Sequence, residues 1–225
     1  MDKIIGYANS KNSNVRERVI EALGILGGRE ASAVIVATIS DRSPFVRLAG
    51  IRASSMLNTD DKRVILEHGL RDSYSVARID ALEGLAEMDL DYAQRAAIHA
   101  LTDKDWLVRG KAVALLGEIG THIEKDVLEQ RLLSEHSYYV RLNFWYALYL
   151  LGDKKHFSDI IGALRTKSYR ARCLAANILT RISDRENAVL IQQRLNNALQ
   201  RENTVAGREA IQKSLNQILN QEHTN

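Results

Sequence analysis

Two histidines are spaced so that they could do metal chemistry together. His68 and His99 are 31 residues apart, and 31 residues is also the interval at which much of the chain repeats. Imidazoles on neighbouring helices could share a metal ion, but a stable site needs more converging ligands than two. The sequence also lacks a glycine-rich phosphate loop followed by Lys-Ser/Thr, a cysteine pair with zinc spacing and a Gly-x-Ser-x-Gly elbow. We therefore expect no metal, no cofactor and no catalytic residue.

The two tryptophans and the single cysteine are the other residues whose side chains could take part in a reaction. Trp145 stands four residues after a repeated arginine, where four other repeats carry Ile, Leu or Val. Cys173 shares its place in the repeat with Leu48 and Leu142. Both side chains are therefore predicted to be buried in the core rather than reactive. Trp106 falls where a helix is predicted to begin.

An internal repeat positions all of these residues. Six arginines recur at intervals of 31, 31, 31, 32 and 31 residues: Arg16, Arg47, Arg78, Arg109, Arg141 and Arg172. A looser seventh match, Arg208, follows after 36 residues. Three, seven and ten residues after each arginine the chain carries mostly small or apolar side chains, which trace one face of an α-helix. A repeat of this length, built from helical segments, predicts a solenoid.

The starts and stops of these helices are also encoded. Side chains that can cap a helix N-terminus stand four residues before five of the arginines: Asn12, Ser43, Asp105, Ser137 and Ser168. Glycines stand where three helices are predicted to stop: Gly27, Gly120 and Gly152. A shorter helix precedes each of these helices, so seven repeats give about fourteen helices and no strands. We predict an all-α, right-handed α-solenoid that forms one domain over residues 1–225, with regular repeats in 1–182 and a longer capping repeat in 183–225.

The repeat resembles a known family. The stretch from Asp103 to Gly120, which contains Val108-Arg109 and Leu116-Gly117-Glu118-Ile119-Gly120, is similar to the short HEAT repeats of the phycobilin-lyase type. The stretch from Asn14-Val15-Arg16 to Gly27 is a second good copy. This resemblance covers nearly the whole chain and implies about seven HEAT-like helical hairpins. HEAT arrays mostly act as scaffolds or binding proteins and a few are enzymes, so the resemblance implies the fold more strongly than the function.

The net charge of +3 invites a nucleic-acid interpretation that the repeat weakens. Carboxylates stand six residues before four of the repeated arginines: Asp41, Asp72, Asp103 and Glu135. We predict that Arg47, Arg78 and Arg109 pair with these carboxylates, either in their own repeat or in the next. Without the six arginines and the four carboxylates, 25 basic residues face 24 acidic ones. Bulk charge therefore gives no support for phosphate binding.

The positions that point away from the predicted core form a charged and aromatic groove on the concave side. They stand two, five and nine residues after each arginine, and in the middle of the chain they include Arg52, Asp80, Glu83, Glu87, Lys111, Glu118 and Tyr146, with Tyr149 close by. Because clustered carboxylates repel phosphate and one another, we expect this groove to bind a basic protein surface, with the two tyrosines adding contact area. A solvated charged face is the plain alternative.

Aromatic residues also gather at the helix starts. Trp106, Tyr138 and Tyr169 occupy the same position in three successive repeats, and we refer to them as the aromatic ridge. Tyrosine and tryptophan anchor protein interfaces, so the ridge is a second candidate surface. Packing against the loops between repeats is the alternative. The same question, interface or core, applies to residues 138–149, which hold six of the chain's 13 aromatic residues.

These features predict a non-catalytic protein-binding scaffold with a basic partner. An immunity protein that neutralises a nuclease toxin is one concrete form of it. The alternative is a HEAT-type enzyme or chromophore-handling factor, similar to the phycobilin lyases or to the glycosylases that remove alkylated bases from DNA. One cysteine, a start unlike a signal peptide and the lack of a long apolar stretch lead us to expect a cytoplasmic protein. The partner's identity and the oligomeric state stay open.

Overall fold

The computed structural model consists of helices and short connections in the part of the chain that it describes. It describes residues 1–120 and 122–223, and the side chains of these residues except 122–124 and 221–223. Fourteen α-helices and five short 3-10 turns lie in this part, and no strand does. The prediction of an all-α fold is therefore confirmed.

The first compact unit, residues Met1–Leu115, holds seven helices and the beginning of an eighth. They are α1 (Asp2–Gly6), α2 (Ser13–Leu26), α3 (Arg29–Ala37), α4 (Pro44–Ala53), α5 (Thr59–Gly69), α6 (Ser75–Ala86), α7 (Leu90–Ala100) and α8 (Trp106–Ile119). The even-numbered helices are the second helices of the hairpins and carry the repeated arginines. Within this unit α2 packs against α4, α4 packs against α6, and α3 packs against α5.

The second compact unit, residues Leu116–Asn225, holds the end of α8 and six further helices. They are α9 (His122–Ser134), α10 (Tyr138–Leu150), α11 (Phe157–Gly162), α12 (Tyr169–Arg181), α13 (Ala188–Arg201) and α14 (Val205–His223). Here α10 packs against α12 and α12 packs against α14. The last two helices hold 14 and 19 residues, as expected for a longer final repeat. The grouping of residues 1–225 into a single domain stays a prediction.

The predicted helix boundaries coincide with capping contacts. The side chains of Asn12, Ser137 and Ser168 accept hydrogen bonds from backbone N–H groups at the starts of α2, α10 and α12. Ser43 precedes α4 without such a side-chain bond, and Pro44 takes the first helical position, where its missing N–H costs nothing. The glycines at the predicted helix stops have φ values of 68°, 59° and 92°, which other residues rarely adopt: Gly27, Gly120 and Gly152.

Small residues let the helices of the first unit approach closely. A Cβ atom on Gly50 of α4 would collide with the hydroxyl of Thr38. A Cβ atom on Gly24 of α2 would lie 2.9 Å from the Cβ atom of Ala53 on α4. At the position equivalent to Gly50, Ala81 of α6 is fully buried. Larger residues at these places would push neighbouring helices apart.

An arginine–carboxylate ladder joins successive repeats. The Nε and Nη2 atoms of a repeated arginine donate hydrogen bonds of 2.6–2.8 Å to the carboxylate of the next repeat, in the pairs Arg16–Asp41, Arg47–Asp72, Arg78–Asp103 and Arg172–Glu202. The Nη1 atom of Arg47 also donates to the backbone carbonyl of Asp41, at 2.8 Å, and that of Arg109 donates to the carbonyl of Asp103, at 2.9 Å. The predicted pairing is confirmed for Arg47 and Arg78, in its next-repeat form.

Each ladder carboxylate also fixes the start of its own second helix. Asp72 accepts a hydrogen bond of 2.9 Å from the backbone N–H of Tyr74, and Asp41 accepts one of 2.8 Å from that of Ser43. Burial raises the pKa of Asp72, but the hydrogen bonds from Arg47 and Tyr74 outweigh burial and hold the pKa below its usual value. Asp72 is therefore ionised at neutral pH, in a pair that is largely withdrawn from water.

We expect Asp72→Asn to lower the free energy of unfolding by about 3 kcal/mol, because it leaves the largely buried guanidinium of Arg47 without its counter-charge. Urea unfolding followed by circular dichroism measures this loss. Glu87→Gln is the matched control: the exposed Glu87 lies 3.8 Å from Lys62, and its loss should cost less than about 1 kcal/mol. Equal losses from the two substitutions would contradict the structural role of the ladder.

Candidate protein-binding surfaces

The carboxylates of the predicted groove are ion-paired in the first unit. Each has a cation within 4 Å on another helix, in the pairs Arg52–Asp80 at 2.7 Å, Lys111–Glu83 at 2.5 Å and Lys62–Glu87 at 3.8 Å. These six residues form the charged strip. Because every negative charge in it lies beside a positive one, these ion pairs offset the repulsion that we expected between the carboxylates. Arg52 and Lys111, predicted as contact residues, are the counter-ions of the strip.

Glu118 belongs to the second unit and is also paired. Its carboxylate oxygen lies 3.6 Å from the guanidinium of Arg181 on α12. At least half of each of these two side chains is exposed to solvent. Pairs as exposed as this one contribute little to stability and exchange readily with other charges. A role for Glu118 in binding stays a prediction.

Tyr146 and Tyr149 are buried, so the expectation that they line the groove is wrong. Their exposed fractions are 6% and 7%. The ring of Tyr149 packs against Phe157 of α11, with 6.0 Å between centroids, and Nζ of Lys154 lies 3.6 Å from its centroid. Tyr146 belongs to an apolar cluster of the second unit that also holds Ala175 of α12. Burial of these large rings stabilises the second unit, which explains why they do not stay at the surface.

The residues of the aromatic ridge are partly exposed. Tyr138 and Tyr169 of the second unit are each about two-fifths exposed, and Trp106 of the first unit is half-buried. Tyr138 meets the buried Trp145 edge-on, with ring centroids 5.5 Å apart. The guanidinium of Arg170 lies 5.9 Å from the ring centroid of Tyr169. The prediction that Trp145 is a core residue is confirmed, and the two tyrosines keep one side open to solvent.

An apolar groove on the first unit is lined mainly by residues outside the predicted contact set. It runs between α2 and α4 and has a volume of about 220 Å³. Three large apolar side chains that line it are 85%, 69% and 52% exposed: Ile25, Met56 and Phe45. Glu17, Glu21 and Arg52 also line it. The sequence itself indicates this groove. Ile25 and Met56 stand nine positions after their repeated arginines, and the next two repeats carry glutamate at that position.

His68, His99 and Cys173 lie at or near the surface. His68 on α5 and His99 on α7 are exposed. Cys173 is half-buried, and burial raises the pKa of its thiol, which is therefore protonated at neutral pH. Among the described residues, no group of three or more His, Cys, Asp and Glu side chains is placed to hold a metal ion. The expectation that the chain binds no metal and no cofactor stays a prediction.

Within each unit the helical hairpins stack, the ladder joins successive repeats, and the second helices offer surface to a partner. This arrangement defines a helical scaffold built from repeats. The chain belongs to the HEAT-repeat family, whose model matches residues 1–86 and 65–148. This confirms the resemblance noted from the sequence. No match was found among curated proteins. HEAT repeats typically serve as scaffolds for protein interactions.

A solved structure with a TM-score above 0.5 shows the same fold. The complex of CpcE and CpcF of phycocyanin lyase from Nostoc sp. PCC7120 matches with a TM-score of 0.59 at 16% identity, over 96% of this chain and 93% of that chain. A designed armadillo repeat protein matches with a TM-score of 0.37 at 15% identity, over 96% and 98%. An engineered protein matches with a TM-score of 0.36 at 14% identity, over 96% and 97%. At 16% identity, the likeness to the lyase complex shows the fold alone. In the described part of the chain, no helix combines the length and the apolar character that crossing a membrane requires.

We expect Tyr146→Ala to lower the free energy of unfolding by about 3 kcal/mol, because it empties a packed site in the core of the second unit. Tyr169→Ala, at a partly exposed ring, should cost less than about 1 kcal/mol. Urea unfolding of both variants checks this difference. A small loss for Tyr146→Ala would show that the ring faces solvent, as the sequence had indicated.

Proposed function

We propose that the chain is a non-catalytic scaffold whose apolar groove and charged strip bind a segment of a partner protein. The exposure of Ile25, Phe45 and Met56 around one groove is the observation that carries this proposal. Single exposed apolar side chains are ordinary on a protein surface, whereas a cluster of them around a concave site is typical of an interaction surface. A partner that covers these side chains would gain the free energy of removing them from water.

The shape of the groove favours a short segment of the partner. Gly24, Ala49 and Ala53 line it, and these small residues let α2 and α4 approach closely. The trough between two such helices is shallow and narrow. An amphipathic helix can place the side chains of one face into a trough of this kind, with anchors three and four residues apart.

The charges around the groove favour a basic segment. Glu17 and Glu21 line the groove, and Glu21 lies 2.8 Å from the exposed Arg18. Arg52 lines the groove as well and connects it to the charged strip through Asp80. Exposed ion pairs contribute little to stability, so a lysine or arginine of the partner could replace Arg18 or Arg52 at small cost. The partner we propose therefore combines apolar anchors with flanking basic residues.

An immunity protein that covers a basic nuclease toxin is a concrete form of this proposal. It is supported by the acidic residues around the groove. Action in the cytoplasm belongs to the same proposal, because a single free cysteine suits a reducing compartment. The proposed role needs contact surface rather than reactive groups.

We expect a photo-crosslinking amino acid placed at Met56 to capture the partner in cells of the native host, through a segment rich in Lys and Arg. The same amino acid at Leu133, which is 88% exposed on α9, is the positional control and should not capture that segment. Mass spectrometry identifies the crosslinked peptide.

The captured segment is then synthesised and its affinity measured by fluorescence anisotropy. Ile25→Asp with Met56→Asp should weaken binding by about 30-fold or more, because a buried apolar anchor contributes about 2 kcal/mol or more. Leu133→Asp should leave the affinity unchanged. Equal crosslinking from both positions, or an unchanged affinity in the doubly substituted protein, would place the binding surface elsewhere.

A further inference from the structure

The net positive charge of the chain belongs to the second unit. Residues 1–115 hold 16 Lys and Arg against 16 Asp and Glu, whereas residues 116–225 hold 15 against 12. The whole excess of three charges therefore belongs to one unit. A count over the complete chain conceals this separation.

A cleft of about 910 Å³ in the second unit collects this charge. It lies between the 3-10 turn Ala163–Arg165, with the loop that follows it, and helix α13. Four exposed cations line the cleft: Arg165, Lys167, Arg194 and Arg201. Within the residues that the structure describes, none of the four has a carboxylate oxygen within 4 Å. Their charge is thus available to a ligand.

The carboxylate that lines the cleft does not balance these cations. Glu202 is bound to Arg172, with 2.6 Å between Oε2 and Nε, and its side chain is fully withdrawn from solvent. The hydrogen bonds from Arg172, together with those from the backbone and hydroxyl of Thr204, lower the pKa of Glu202 to about 2 against the effect of burial. Its negative charge is used inside the ladder.

A gap in the ladder contributes to this excess. The loop before the second helix carries a carboxylate in repeats two to five, and Thr166 takes that place in the sixth. In the regular pairs the carboxylate stands 25 residues after its arginine, so Arg141 would pair with this position. Arg141 is instead exposed and lies 5.4 Å from the ring centroid of Trp145. Arg165 and Lys167 flank Thr166, so this loop carries two positive charges, whereas the equivalent loops of repeats two to five carry no excess of positive charge.

We propose that the cleft binds an acidic segment of a protein, with carboxylates on one face and an apolar side chain between them. Arg194 and Arg201 are seven residues apart on α13, which spaces them by about 10 Å along one helix face. Leu164 and Ala198 give the cleft an apolar floor. A helical segment with carboxylates two turns apart matches this spacing, and the guanidinium fork pairs with a carboxylate through two hydrogen bonds.

A polynucleotide matches the cleft less well. Single strands bind along basic grooves that offer a succession of aromatic rings for stacking. Of the residues described here, Tyr169 supplies the aromatic ring of the cleft, and Arg170 already lies over that ring. The cleft is separate from the apolar groove of the first unit and takes a partner of opposite charge, so the inference goes beyond the function proposed above.

The test measures how the full-length protein binds a labelled helical peptide with two glutamates two turns apart and a leucine between them. Fluorescence anisotropy should show binding that weakens steeply as salt is raised. Arg194→Glu with Arg201→Glu should reduce the affinity by about 30-fold or more. Arg208→Glu with Lys213→Glu makes the same change in net charge at exposed positions of α14 outside the cleft, and should reduce it by less than about 3-fold.

Three results would overturn the proposal. The peptide fails to bind at about millimolar concentration, or both double substitutions weaken it equally, or a single-stranded oligonucleotide binds more tightly than the peptide and loses that binding with Arg194→Glu and Arg201→Glu. Thermal unfolding confirms that the variants are folded. Ile25→Asp with Met56→Asp should leave peptide binding intact, so failure of the groove proposal and failure of the cleft proposal are distinguishable.

Discussion

The contact between a repeated arginine and the carboxylate of the next repeat is the interaction on which the rest of the structure depends. Each repeat in an array contacts only the repeats next to it. The stability of the array is therefore approximately the sum of the free energies of the individual repeats and of the interfaces between them. Arg47 holds the loop of its own repeat through the carbonyl of Asp41 and the following repeat through the carboxylate of Asp72. One side chain thus fixes both a helix start and the stacking of two hairpins. Because an unpaired buried charge costs several kcal/mol, the same contact also enforces the register between repeats.

Where the ladder is complete the surface is balanced, and where it is interrupted a charged site appears. In the first unit the exposed charges of the second helices also pair with one another, so the apolar groove around Ile25 and Met56 is its distinguishing feature. In the second unit, Thr166 takes the place of a carboxylate and the neighbouring cations remain without counter-charge. The state of the ladder therefore accounts for the uncompensated charge of the second unit, whereas the apolar groove of the first unit arises from its own exposed side chains.

The sequence predicts those features that depend on residue type at fixed intervals. Helix starts, helix stops and arginine–carboxylate pairs such as Arg47–Asp72 recur about every 31 residues, so periodicity is sufficient to find them. The burial of Tyr146 is different, because its position in the repeat indicates an outward-facing side chain, whereas its ring belongs to the apolar core cluster of the second unit. The pairing of Glu83 with Lys111 requires comparison of different positions in adjacent repeats, and the position of the basic cleft requires knowing which loops lie together.

The most direct test of this account is to fill the gap in the ladder. Thr166→Asp places a carboxylate 25 residues after Arg141, the spacing of Arg16–Asp41 and Arg47–Asp72. The free energy of unfolding, measured with urea, should rise by about 1 kcal/mol as Arg141 gains a partner, and the acidic peptide should bind more weakly. Unchanged or lower stability in a variant with a native circular dichroism spectrum would contradict the claim that the arginine–carboxylate contact holds neighbouring repeats together.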